Sequence, residues 1–172
     1  VLSSVPESAD VDMLSGKTIL AFARGASAFV PPVLGAIQKV LAEGAVLLSG
    51  KKIIVVGKGR LVGAPVCAWL TREGIAHEVI TKDTPEEEKK MRLEHADIIS
   101  SGAGVPRMIT TDMVKEGAVL IDAGTTAEGG AGGGDVDPAC AEKASLFTPV
   151  PGGIGPLTVA MLYENVLRAH GV

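Results

Sequence analysis

The chain has 172 residues, 47% of them hydrophobic but only 3% aromatic, with 22 glycines and a formal charge of −4. That length suits one domain, or one domain plus a piece of another, and the Val, Ile, Leu and Ala content suits buried parallel strands under helices better than an aromatic-rich sandwich. The acidic balance argues against a nucleic-acid or anionic-membrane partner, no run reaches the ~18 apolar residues a membrane span needs, and the two cysteines, Cys67 and Cys140, form neither a disulfide framework nor a metal spacing.

The expectation is therefore a soluble protein of a reducing compartment. The first residue is Val1 and no basic-then-apolar leader precedes it, a hint that something upstream was removed or left uncovered. Residues 1–28 have mixed polarity without a clean period and read as loops and short elements. From Pro31, "PPVLGAIQKVLAEG" puts Val33, Ile37, Val40 and Leu41 on one face, opening on proline and closing on Gly44, which predicts a helix of about three turns.

"KKIIVVGKGRLVGAPVCAWLTREG" starts with a β-branched run at 53–56, turns at glycine, and continues with Val62, Val66, Trp69 and Leu70 at helical spacing. A strand over 77–80, a charged helix over 84–95, a strand over 96–101, a short helix over 110–117 and a strand over 118–124 follow. The stretch 125–143 is too rich in glycine for regular structure and reads as a mobile loop ending at "GDVD", 134–137. "SLFT" predicts a last strand. A last helix is expected over 156–170 with Val159, Leu162, Val166 and Leu167 inward. Strands alternating with helices of this size imply right-handed crossovers and a parallel sheet, with ligands at the carboxyl ends of the strands.

Three glycines, Gly57, Gly59 and Gly63, fall where a strand becomes a helix. Gly57 would permit the tight turn, Gly59 would let backbone approach a phosphate, and Gly63 would let helix and strand pack. The spacing is one residue longer than the usual dinucleotide fingerprint, so a plain tight turn stays open beside nucleotide binding. Lys58, Arg60 and Lys82 lie in the two loops that would flank a ribose 2′-phosphate, and Asp83 is the competing acid; the alternative is charges in solvated turns. "SSGAGVP", 100–106, and "IDAGTT", 121–126, end strands in small residues that leave room for a flat ring. Asp122 reads equally as a ligand contact or a turn cap. "EEEKK", 86–90, reads as a solvated helix face. His77, His95 and His170 have no partner spacing, so no metal site or Ser/His/Asp arrangement is expected.

Taken together, "GKKIIVVGKGRLVGAP", "ADIISSGAG", "VKEGAVLIDAGTT", "GDVD" and above all "TPVPGGIGPLTVAMLYEN" resemble the bifunctional methylenetetrahydrofolate dehydrogenase/methenyltetrahydrofolate cyclohydrolase family over most of the chain. The resemblance implies an α/β chain. A Rossmann-like doubly wound parallel sheet with helices on both faces would occupy 31–156, with 1–30 a remnant of a first α/β domain. Residues 157–172 would form a C-terminal helix packing back toward that domain.

The resemblance further implies oxidation of 5,10-methylenetetrahydrofolate with NADP and hydrolysis to 10-formyltetrahydrofolate in a cytoplasmic homodimer, with tetrahydrofolate derivatives as substrates. By position, Gly57, Lys58 and Gly59 match the family's phosphate-loop triplet, whose third member is usually serine. Thr125 matches a residue that contacts the cofactor through its backbone, and Gly152, Gly153 and Thr158 align with the wall between cofactor and folate. Asp12, in "ADVD", matches an aspartate that binds the pterin, although Met13 replaces the glycine expected next and "PPVLGA" matches its counterpart weakly. In that wall, prolines fix φ and glycines let main chain approach planar rings.

The family's lysine, preceded four residues earlier by tyrosine, and a glutamine of the same cleft have no counterpart here; Tyr163 lies in the last predicted helix. The expectation is a cofactor-binding part of such an enzyme, fragmentary or cleaved, that binds NADP without turning over and holds no catalytic residue. Rival readings are a non-catalytic nucleotide-binding module and a two-domain dehydrogenase acting on an amino acid or shikimate.

Overall fold

The computed structural model describes residues 4–125 and 133–171; the part of the predicted glycine-rich loop over 126–132 lies outside them. Five parallel strands, β1 (Ile53–Val56), β2 (Glu78–Ile80), β3 (Ile98–Ser101), β4 (Val119–Asp122) and β5 (Leu146–Phe147), form one sheet in the order β2-β1-β3-β4-β5. The helices are α1 (Gly16–Ala23), α2 (Pro32–Glu43), α3 (Gly63–Arg72), α4 (Glu86–Leu93) and α5 (Ile154–Ala169). The order reverses between β1 and β3, and a crevice opens at the carboxyl ends of those two strands.

Every residue of β1, β3 and β4 is buried, because both faces of the sheet are covered. Ile53, Val55, Ile98, Val119 and Ile121 meet the helices on one side, packing with Phe22, Ile37, Val66, Leu70 and Ile154. Ile54, Val56, Ile99 and Leu120 face the other side, toward Leu93 of α4 and toward Ile109, Val136 and Cys140. Alternate residues of each strand thus feed two cores, as the period of a strand requires. The doubly wound arrangement is the one expected from the alternation of strands and helices.

Two local expectations need correction and one is made specific. Among the loops and short elements expected over 1–28, residues 16–23 form a helix capped by Ser15, whose hydroxyl accepts from the Thr18 N–H at 3.2 Å. Asp10 reinforces that start by accepting from the N–H of Ser15 at 2.9 Å and the Thr18 hydroxyl at 2.7 Å. Its burial alone would raise the carboxyl's pKa, but these bonds outweigh it and hold the pKa below the ordinary value. The helix expected over 110–117 is a single 3-10 turn at Thr111–Met113. The Lys143 ammonium donates to the carbonyls of Thr111 at 2.7 Å and Val114 at 3.1 Å, satisfying acceptors at this short turn.

In the last helix the inward stripe is rotated from its expected position. Val159 and Leu167 are 54% and 53% exposed, whereas Ile154 and Asn165 are buried and Met161 packs against Gly35 of α2. Asn165 donates to the carbonyls of Val11 and Val30, both at 2.8 Å, and so ties α5 to two distant points of the first thirty residues. A polar side chain fully used in this way belongs inside, and the helix turns to put it there.

Met13 stands where the related motif has glycine, and its φ of 55° lies in the left-handed region; its side chain is only 2% exposed. Truncating it loses about 2–5 kcal/mol of packing, while glycine also relieves about 1 kcal/mol of backbone strain. Met13→Gly is therefore expected to be less stable than the parent yet more stable than Met13→Ala in urea unfolding. The usual order, alanine above glycine, would show that the backbone there is not strained. Among the described residues no helix is long and apolar enough to cross a membrane.

Candidate cofactor-binding site

The ladder between strands runs one residue past their ends: the Gly57 N–H donates to the Ile80 carbonyl at 2.8 Å, and the Gly102 N–H to the Val56 carbonyl at 2.9 Å. Two glycine-ended strands therefore stand side by side at the sheet edge. Gly57 has a φ of 90°, and a Cβ there would lie 2.9 Å from the Gly102 carbonyl oxygen. At Gly63 a Cβ would lie 2.1 Å from the Gly57 carbonyl oxygen, so this position lets the start of α3 close onto the end of β1. Gly59 is different, because a Cβ there would meet nothing nearer than 3.8 Å. Packing does not demand that glycine. No side chain caps α3; its Ala64 N–H donates instead to the Gly59 carbonyl at 2.9 Å, and Pro65 brings no N–H to that turn.

A cavity lies on each side of this loop. The first, about 790 Å³, is walled by Gly57, Lys58 and Gly59, the end of β2 with Lys82, and the turn after β3 with Gly102 and Ala103. The second, about 430 Å³, is walled by Leu61 and Val62, by Ala123 to Thr125 after β4, and by Pro149 to Pro156 with Thr158. The small-residue turns after β3 and β4 thus serve opposite cavities. Arg60 is exposed on the loop and lines neither cavity. Asp12 is exposed on the turn before α1 and lines neither; partial loss of water around its carboxyl, with the charge of Asp10, raises the pKa.

The stretch 148–158 has its own local reasons for its composition. Gly152 has a φ of 107°, with open space beside it. Gly153 has no room for a side chain, since a Cβ would lie 2.6 Å from the Pro149 carbonyl oxygen to which its own N–H donates at 2.7 Å. Thr158 uses its hydroxyl within the helix, donating to the Ile154 carbonyl at 2.9 Å. Thr148 is buried and accepts from the Asp122 N–H at 2.7 Å, fixing the strip to β4.

Two buried carboxylates that the sequence did not mark as a pair hold the floor. Asp135 accepts from the Ser101 hydroxyl at 2.6 Å, the Ala103 N–H at 2.7 Å and the Val105 N–H at 2.8 Å, and so sets the turn that walls the larger cavity. Asp122 accepts from the N–H groups of Gly124 at 2.9 Å, Asp135 at 3.2 Å and Val136 at 2.8 Å. It thus caps its turn, one of its two sequence readings, and it also lines the smaller cavity. Burial first, and the Asp135 charge in addition, raise its pKa against those hydrogen bonds. The recurrence of Asp at 122 and 135 beside glycines was the available signal: a Cβ on Gly134 would lie 2.0 Å from Asp122 Oδ2.

The charged helix α4 also departs from expectation. Lys89, read as solvated, is 8% exposed and lines the larger cavity, with its ammonium on Glu86 at 2.5 Å. Among the described residues no group of His, Cys, Asp or Glu could hold a metal ion.

A glycine turn at the switch point and two cavities astride it fit a dinucleotide laid across the strand ends, with cations at one end and an apolar slot at the other. The fold and site define an NAD(P)-binding domain of the Rossmann-like class.

Residues 31–171 match the family described as tetrahydrofolate dehydrogenase/cyclohydrolase, NAD(P)-binding domain, and the chain belongs to that family. It is 37% identical over 171 residues to the bifunctional protein FolD of Dechloromonas aromatica, covering 98% of this chain and 60% of that protein. A 5,10-methylenetetrahydrofolate dehydrogenase from the silkworm Bombyx mori superposes with a TM-score of 0.91 at 30% identity, over 98% of this chain and 61% of that one. A methylenetetrahydrofolate dehydrogenase-cyclohydrolase of Trypanosoma brucei, solved with NADP and an inhibitor, superposes at 0.88 with 32% identity, over 98% and 60%. The chain spans about 60% of the length of the bacterial relatives it matches and about 45% of two mitochondrial ones.

Proposed function

We propose that this chain supplies the NADP site of an enzyme that oxidises 5,10-methylenetetrahydrofolate to the methenyl form and hydrolyses that to 10-formyltetrahydrofolate. The observation that carries the reading is the pair of cavities astride the glycine loop, one of them closed by the 148–158 strip. Bound NADP would supply a hydride acceptor at its nicotinamide. Gly57, Lys58 and Gly59 would receive the phosphates, Lys82 the 2′-phosphate, and Thr125, Gly152, Gly153 and Thr158 the nicotinamide and the folate beyond it. A thin rigid strip of main chain orients two planar rings, and orientation of this kind lowers a barrier by several kcal/mol. Asp12 as a pterin contact rests on motif position alone, as does Arg60 as a cofactor contact.

The 172 residues contain no Tyr-x-x-x-Lys pair. The general acid/base group is accordingly assigned to residues outside this chain, with 1–30 belonging to that catalytic domain, 31–156 to the cofactor domain and 157–172 to a helix joining the two. That the parent enzyme is a cytoplasmic homodimer serving purine biosynthesis is a reading supported by the family resemblance alone.

Calorimetric titration with NADP, NAD and a folate analogue tests the reading. NADP is expected to bind at least about tenfold tighter than NAD, a difference of about 1.4 kcal/mol, with no turnover of methylenetetrahydrofolate by these 172 residues. Tighter binding of NAD, or turnover at an ordinary rate, would overturn it.

A further inference from the structure

The larger cavity contains a lysine of an unusual kind. Lys58 and Lys82 reach it from solvent-exposed loops, but Lys89 comes from α4 and is almost wholly buried. A lysine is rarely buried without full pairing, because its ammonium loses hydration. Here the pairing is partial. The ammonium has three N–H donors, and among the described residues its hydrogen-bond partner is one oxygen of Glu86, whose own side chain is 77% exposed. Donor capacity is therefore left over at the wall of a cavity.

The charges around that wall favour an anion. Lys58, Lys82 and Lys89 stand against Asp83 and Glu86, three cations to two carboxylates. The cations differ in effect: those on exposed loops are screened by water and salt, whereas a buried ammonium acts through a less polar medium. Its stem is already immobilised by packing and its head by Glu86, so little side-chain freedom remains to be lost on binding.

We propose that Lys89 is the residue that selects the phosphorylated cofactor, its ammonium donating to the 2′-phosphate of the adenosine ribose while Glu86 holds it in place. This inference rests on the dinucleotide reading above and adds to it a residue from α4, a helix outside the two loops that flank the ribose. A ribose with a free 2′-hydroxyl gains little from that ammonium, so the discrimination resides in the phosphate.

The test uses the 172-residue chain with 2′,5′-ADP and 5′-AMP, which differ only in the 2′-phosphate. Lys89→Met keeps the packed stem and removes the charge. It is expected to weaken 2′,5′-ADP by about 10- to 100-fold, the size of a charge-assisted hydrogen bond, and to change 5′-AMP by less than about threefold. Lys89→Arg is expected to retain most of the preference, with both melting temperatures near that of the parent. Equal weakening of both ligands would mean a packing role, and an unchanged preference would mean that Lys58 and Lys82 suffice; either overturns the inference while leaving the dinucleotide site intact. Failure of the parent chain to bind 2′,5′-ADP, NADP or NAD would overturn the dinucleotide reading and this inference with it.

Discussion

Asp135→Ala is expected to lower the unfolding free energy by about 3–5 kcal/mol in denaturant titration, a large part of the 5–15 kcal/mol typical of a domain. Three donors converge on that carboxylate: the Ser101 hydroxyl and the N–H groups of Ala103 and Val105. Alanine leaves all three without their acceptor. The hydroxyl can rotate to another partner, but the two N–H groups are fixed by the backbone. Part of the loss is offset because the neighbouring Asp122 no longer faces a like charge. Asp135→Asn should fall between, since one amide oxygen can still accept while the amide nitrogen meets a donor. Because Ala103 and Val105 wall the larger cavity, NADP affinity should fall as well in whatever fraction stays folded. A loss below about 1 kcal/mol for the alanine variant would show that the turn after β3 is held by something else.

Gly63→Ala is expected to reduce dinucleotide affinity by at least about 100-fold and to cost about 1–3 kcal/mol of stability. The added methyl would stand 2.1 Å from the carbonyl oxygen of Gly57 and 2.8 Å from its carbonyl carbon. Both atoms are main chain, so no side chain can swing aside. Either α3 retreats from β1 or the loop opens, and each moves the helix start away from the strand ends. Gly59→Ala is the informative control. Its methyl would find only the Gly102 carbonyl oxygen at 3.8 Å, so stability should be unchanged. If a pyrophosphate passes close to the main chain there, the control loses affinity without losing stability. Calorimetry with NADP, alongside thermal melts of both variants, separates the two effects. Full affinity in the Gly63 variant would mean that the dinucleotide does not use this turn.

Much of the sheet was legible because its signal is simple. "IIVV" at 53–56 and "AVLID" at 118–122 are short β-branched or apolar runs bounded by glycine, and each became a central strand buried on both faces. What pattern reading missed were residues whose chemistry runs against their surroundings. Asn165 looks outward by polarity and is buried because two carbonyls, of Val11 and Val30, come to it from far along the chain. Lys89 belongs to a run of Glu and Lys at i, i+3 spacing that describes a solvated face equally well, and only the position of α4 over the end of β2 distinguishes the two. The turn that stands in place of the helix expected near 110 is held by a long-range lysine contact that no local window contains. Of the residues expected to bind cofactor or substrate, Gly57, Lys58, Gly59 and Lys82 come together around one cavity and Thr125, Gly152, Gly153 and Thr158 around the other. Arg60 and Asp12 share the motifs but not the walls, because sequence adjacency to a turn does not decide which way a side chain leaves it.

The staple at Asn165 has a mechanical meaning. Helix α5 begins at Ile154, directly after the proline-glycine strip, and Asn165 lies eleven positions further on, about 16 Å along the axis at 1.5 Å per residue. Pinned there, packed on α2 through Met161 and Gly35, and buried at Ile154 where it starts, α5 acts as a strut along its length. The strip before it is thus braced from both sides, to β4 by the Thr148 hydroxyl and, through α5, to Val11 and Val30 by one amide far from any ring it would touch.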